Sequence, residues 1–190
     1  MSLRSRLRGM SERSEREVLA AWGRRESGSI SEDEFITAAA NIISRQNRRA
    51  VALADMAMAR QISRELRRSV SPLGDEGGSD SEDSEEQQDR LAGALRTVIS
   101  ASVSSIADDD MSESVARRLA RVARSEPLAR GQDMIQRALR TWGMGWTRAT
   151  GPDPCEMCQG LADGTVLPAD ADMVRHTGCS CMQQAREMQS

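Results

Sequence analysis

Residues 31–68 read SEDEFITAAANIISRQNRRAVALADMAMARQISRELRR. Phe35, Ala39, Ile42, Ile43, Ala50, Leu53, Ala54, Met58, Ile62 and Leu66 recur at steps of three and four, the spacing of one face of an α-helix. No Pro or Gly interrupts the stretch. Ser31 followed by Glu34 fits a capping box, in which the hydroxyl accepts from an early backbone N–H and the carboxylate reaches back. One helix from Glu32 to Arg68 would be about 55 Å long at 1.5 Å per residue. That exceeds the width of an ordinary domain of this size, so the sequence predicts either a break near Asn41–Asn47 or a projecting end.

Working outward, Leu3, Leu7, Met10, Val18, Leu19 and Trp22 predict one or two short amphipathic helices closed by Gly23 and Gly28. Leu91, Leu95, Val98, Ile99, Val103 and Ile106 give a second apolar face. Asp108-Asp-Asp110 ends it and caps a third stripe of Met111, Val115, Leu119, Val122 and Ala123. Ser125-Glu-Pro127 then reads as the start of a further helix, with Pro in the first turn where its missing N–H costs little. That helix carries Leu128, Ile135, Ala138, Leu139 and Trp142. Such stripes are core faces.

Composition agrees with a mainly α fold. The chain has 190 residues, 38% hydrophobic and 29% charged, with three Trp, one Phe and no Tyr. So few aromatic side chains disfavour a β-sandwich or barrel. All 26 basic residues are Arg, a bias typical of a GC-rich genome. No run approaches the roughly 18 apolar residues needed to span a bilayer. Arg-rich Met1–Arg8 leads to no apolar core, so it is not a secretory signal.

The net charge of -3 conceals a pattern. Residues 1–70 carry 14 Arg against 9 acids, and residues 90–149 carry 10 against 6. Residues 75–89 carry 8 acids and no base, and residues 150–190 carry 2 Arg against 6 acids. The acidic block has no apolar side chain to bury and reads as a solvated, flexible loop.

The last 40 residues change character. All four cysteines and the only histidine read Cys155-Glu-Met-Cys158, a gap of 17 residues, then His176-Thr-Gly-Cys179-Ser-Cys181. Two short-spaced pairs separated by a loop are the sequence form of a tetrahedral structural zinc site. Five candidates, Cys155, Cys158, His176, Cys179 and Cys181, compete for four places, and either Cys179 or Cys181 can take the last. A redox Cys-x-x-Cys needs a βαβ setting, whereas Pro152-Asp-Pro154 and Gly160 read as loop. A Cys/His nucleophile needs a lone activated thiol. Two disulfides would need an oxidising compartment. Gly143–Thr150 reads as a strand, and Leu161–Val166 as a hairpin turning at Asp163-Gly164. The available core is Trp146, Met157, Leu161, Val166, Leu167 and Met173, small enough to need a metal staple.

In this segment Trp146, Thr147, Arg148, Asp153, Cys155, Cys158, Leu161, Gly164, Pro168, His176, Cys179 and Cys181 form a pattern that resembles the Mu F-like minor head proteins of tailed bacteriophages. The family's closing His-Pro-Asn-Cys-Arg-Cys is His-Thr-Gly-Cys-Ser-Cys here, with the ligand types kept. Leu19-Ala-Ala-Trp22, Gly28, Ile30, Ser31, Phe35, Asn47, Ala50 and Leu53-Ala-Asp55 are similar to minor head proteins of actinobacterial phages. The resemblance implies a virion protein of few copies, inside the head or near the portal, made in the host cytoplasm. Its implied partners are the portal protein, the major capsid protein and packaged DNA; it implies no enzymatic activity and no membrane. The predicted layout is a helical region over 1–70, an acidic loop over 71–89, a second helical region over 90–142 that packs on the first, and a small irregular α+β zinc-stapled module over 143–190.

The alternative reading is a zinc-stapled nucleic-acid-binding protein, supported by the Arg surplus and opposed by the acidic zinc segment. An enzyme is disfavoured: a catalytic zinc keeps an open position, and with His176 as the sole histidine no Ser/His/Asp set exists.

Overall fold

A computed structural model describes residues 2–74, 82–103, 108–151, 154, 156–175 and 181–188. The chain is mainly helical with a small two-stranded sheet. The order is α1 (Leu3–Glu26), α2 (Glu32–Glu65), α3 (Glu82–Val103), α4 (Asp108–Thr141), β1 (Gly145–Ala149), α5 (Glu156–Gly160) and β2 (Met182–Arg186). Among the described residues no helix is long and apolar enough to cross a membrane.

The chain divides into two units. One comprises residues 9–48 and 77–127. Its core is built by Val18, Ala21 and Trp22 of α1, Phe35, Ile36, Ala39, Ala40 and Ile43 of α2, Leu91, Leu95 and Ile99 of α3, and Val115, Leu119 and Ala123 of α4. The other unit comprises residues 1–8, 49–76 and 128–190. It buries Leu7, Leu53, Ala54, Met58, Ile62, Ile135 and Leu139 together with the strand residues around Trp146.

Several local expectations are met at atomic detail. Ser31 N–H donates to Glu34 at 2.7 Å, and Glu34 N–H donates to Ser31 Oγ at 3.2 Å, the reciprocal capping box. Donation from Ser31, first from its backbone N–H and then from its side chain, holds the exposed Glu34 carboxyl below its ordinary pKa. After α1, Gly28 takes φ +72°, with Ser29 N–H on Arg24 O at 2.9 Å and Gly28 N–H on Arg25 O at 3.0 Å. This crossed pair needs a left-handed residue, which glycine adopts without a Cβ clash.

Other expectations are corrected. Helix α2 has no break near Asn41–Asn47. Gln46 and Asn47 are helical and only 1% exposed, because apolar positions continue on both sides of them, from Ile43 to Ala50 and Leu53. Of the one or two short helices expected, the structure has one, α1, but it is 24 residues long and Gly23 lies inside it. No new helix begins at Ser125. Pro127 lies inside α4, and Ser125 Oγ donates back to Val122 O at 3.3 Å rather than capping. Buried Ala123 precedes the proline and buried Leu128, Ile135 and Leu139 follow it, so tertiary burial outweighs the lost backbone bond. Helix α3 starts at Glu82, inside the stretch read as acidic loop, while residues 75–81 lie outside the described residues.

Candidate metal centre

Strand β1 pairs antiparallel with β2, from Gly145 opposite Arg186 to Ala149 opposite Met182. The expected strand is therefore present, but its partner lies beyond the last cysteine, where too few strand-forming residues stand to signal it. The Leu161–Val166 hairpin does not form. Leu167 instead bridges Trp146, with N–H···O bonds of 2.8 Å in both directions. Asp163-Gly164 makes only a local turn: Thr165 N–H donates to Asp163 Oδ1 at 2.9 Å, lowering the Asp163 pKa, and Gly164 takes φ +85°.

This register has a direct consequence for the Cys/His motif. Residues leaving β1 at Ala149 and residues entering β2 at Met182 emerge from the same end of the ribbon. The segment holding Cys155 and Cys158 follows β1, and the segment holding His176, Cys179 and Cys181 precedes β2. Antiparallel pairing thus returns Cys181, just before β2, to the end of β1 from which the segment bearing Cys158 leaves.

Two of the five candidates are described, and they meet. Cys158, on α5, is 1% exposed; Cys181, next to β2, is 3% exposed; the two form a buried cluster and are not joined to each other as a disulfide. Cys155, His176 and Cys179, and Asp153 of the resemblance, lie outside the described residues. Among the described residues no three or more His, Cys, Asp or Glu side chains gather as a metal-holding group.

The thiol pair is framed by polar groups from β1 and α4. Arg148 of β1 places Nη1 3.8 Å from Cys158 Sγ and donates Nη2 to Val174 O at 2.8 Å. Gln132 Nε2 donates to Cys181 O at 2.8 Å, and Arg175 Nη1 reaches Asp133 Oδ1 at 3.0 Å. One turn on, Gln136 donates to Ala169 O at 2.7 Å and accepts from Gln183. A turn later, Arg140 meets Asp172 at 2.8 Å. Gln132, Gln136 and Arg140 recur every four residues, so they share one face of α4. Sequence reasoning missed them. Their signal was a row of polar residues at helical spacing beside the apolar stripe.

The module's core also differs from expectation. Trp146 and Met173 are buried, but Met157, Leu161, Val166 and Leu167 are exposed. Their places are taken by Met144, Cys158, Cys181, Met182 and Ala185. Gly145 marks a close approach: a Cβ there would lie 2.8 Å from Val166 Cγ1, 2.9 Å from Met188 Cγ and 3.1 Å from Leu167 O.

Two buried cysteine sulfurs beside a guanidinium are donors of the soft type that zinc takes. The described residues by themselves supply two donors. No protein-family model matches the chain, and no curated protein and no solved structure matches it either.

Proposed function

We propose that this chain is a non-enzymatic structural protein of a tailed-phage head, a minor head protein whose C-terminal Cys/His segment is a zinc staple. The observation that carries the staple is the buried contact between Cys158 and Cys181, 23 positions apart and drawn from the two halves of the motif. The phage assignment rests on the resemblance of residues 140–182 and, in the N-terminal part, of positions such as Trp22 and Phe35.

In this reading Cys158 and Cys181 are ligands, and two of Cys155, His176 and Cys179 complete the set. Zinc, when bound, supplies folding energy that so few apolar side chains cannot. Arg148 offsets thiolate charge and ties the strand to Val174, two residues before His176. Gln132 fixes the backbone at Cys181. The long helices supply faces for the portal protein or the major capsid protein.

Mass spectrometry of purified virions tests the assignment. The protein should be found in the particle and should remain with DNA-free heads washed at high salt, because apolar helix interfaces resist salt. Quantitative loss from DNA-free heads would favour the nucleic-acid-binding alternative. Absence from the virion at every stage would remove the phage-head reading.

A further inference from the structure

A cleft in the unit formed by residues 1–8, 49–76 and 128–190 collects uncompensated positive charge. It lies among the start of α1, the second half of α2 and the middle of β2, and holds about 420 Å³. Leu53 and Ala57 floor it, and Arg6, Arg60 and Arg64 line it. All three arginines are exposed, and among the described residues none has a carboxylate partner. Elsewhere Arg25, Arg45, Arg90 and Arg140 each hold an acid within 3.1 Å. The acid that lines the cleft, Glu65, faces Arg186 at 3.6 Å.

Arg60 and Arg64 are four residues apart on α2, about 6 Å along its axis. They also wall a second hollow of about 440 Å³ with Met56, Ser63 and Pro72. The two guanidiniums are thus a ridge between two open hollows, with Arg6 across one of them. An enclosed pocket suits one small anion; a ridge of unpaired cations suits a chain of anions laid across it. Guanidinium forks match phosphate oxygens two at a time, and concave walls concentrate the positive potential.

We propose that Arg6, Arg60 and Arg64 form a sequence-independent site for the phosphodiester backbone of a nucleic acid. This goes beyond the structural reading above and does not depend on the metal centre.

Fluorescence anisotropy with the full chain tests it, using a labelled 25-base-pair DNA duplex, the RNA duplex of the same sequence, and inorganic phosphate as competitor. Wild-type protein should bind at least one duplex, weakening steeply with salt. Arg60→Ala/Arg64→Ala should bind at least tenfold more weakly and flatten the log K against log salt slope by about two, near 0.9 per lost phosphate contact. Arg6→Ala, on a different helix, should flatten it by about one. Arg13→Ala/Arg16→Ala removes the same charge from exposed α1 positions in the other unit and should stay within twofold of wild type. The better of the two duplexes identifies the source of the backbone. Equal losses in the two double variants, unchanged slopes, or tight binding of inorganic phosphate without either duplex would overturn the site. Thermal melts accompany each variant; should the double variant unfold, the Arg6→Ala slope alone decides.

Discussion

Trp22 and Trp146 are both buried, and they are held by different physics. Trp22 meets Phe35 edge-on at 5.2 Å between ring centres, with Arg25 4.9 Å over its ring, in a core of helix faces. Trp146 sits in a strand whose backbone pairs with Leu167, and its indole N–H donates to Ala171 O at 3.2 Å. The first region is an apolar core repeated every three or four residues. The second is a set of extended segments tied by side chains that reach across 25 to 49 positions of sequence. Apolar burial stabilises the helices without precise partners. The ribbon depends on particular polar atoms, and each loss leaves a buried group unsatisfied.

The largest break in this contrast should come from Cys158→Ser. If the thiol cluster is a zinc staple, hydrogen exchange should show protection lost across residues 144–188 while residues 9–48 stay protected. The energy at stake is on the order of the 10 kcal/mol or more typical of structural zinc. Protection unchanged across the ribbon would show that polar ties alone hold it.

Phe35→Ala attacks the other region. It empties a fully buried site, should cost about 3–5 kcal/mol in a denaturant melt, and should leave metal content untouched. A cost under about 1 kcal/mol would show that the helical core collapses around the gap.

Gln132→Ala sharpens the comparison, because it removes polar ties rather than an apolar core side chain: the donor to Cys181 O and the acceptor of Arg175. The Cys181 carbonyl loses its 2.8 Å partner, at a cost of about 1–3 kcal/mol. Exchange should accelerate first at the β2 amides. The smallest effect should be a gain. Arg67 ends α2 with φ +51°, a conformation that strains a residue with a Cβ. Arg67→Gly should therefore raise stability by about 0.5–1 kcal/mol, read as a small rise in melting temperature.

The same contrast governs what was legible in the sequence. The helical faces could be read directly, since Phe35, Ala39 and Ile43 declare their side by spacing alone. Helix ends were legible where chemistry marks them, as at Ser31, Glu34 and Gly28. Pro127 misled because a local signal was overruled by burial on both sides of it; the break considered near Asn41–Asn47 came from helix length alone, and the apolar positions on both sides of Gln46 and Asn47 keep the helix whole. In the ribbon, Cys158 and Cys181 were legible as residue types, and their meeting agrees with the paired spacing. The pairing of β1 with β2 was not, because register depends on contacts 33 to 41 residues apart rather than on local pattern. Gln132, Gln136 and Arg140 stayed hidden because polar residues on a helix ordinarily face solvent, and nothing local marks the loop they hold.

Native mass spectrometry of the purified full-length chain, combined with a thiol count after denaturation, addresses the zinc staple most directly. The account predicts about one zinc per chain and four reduced cysteines, since a closed tetrahedral site holds one ion on deprotonated thiols and imidazole. A metal-free chain with Cys158 and Cys181 joined as a disulfide would contradict it.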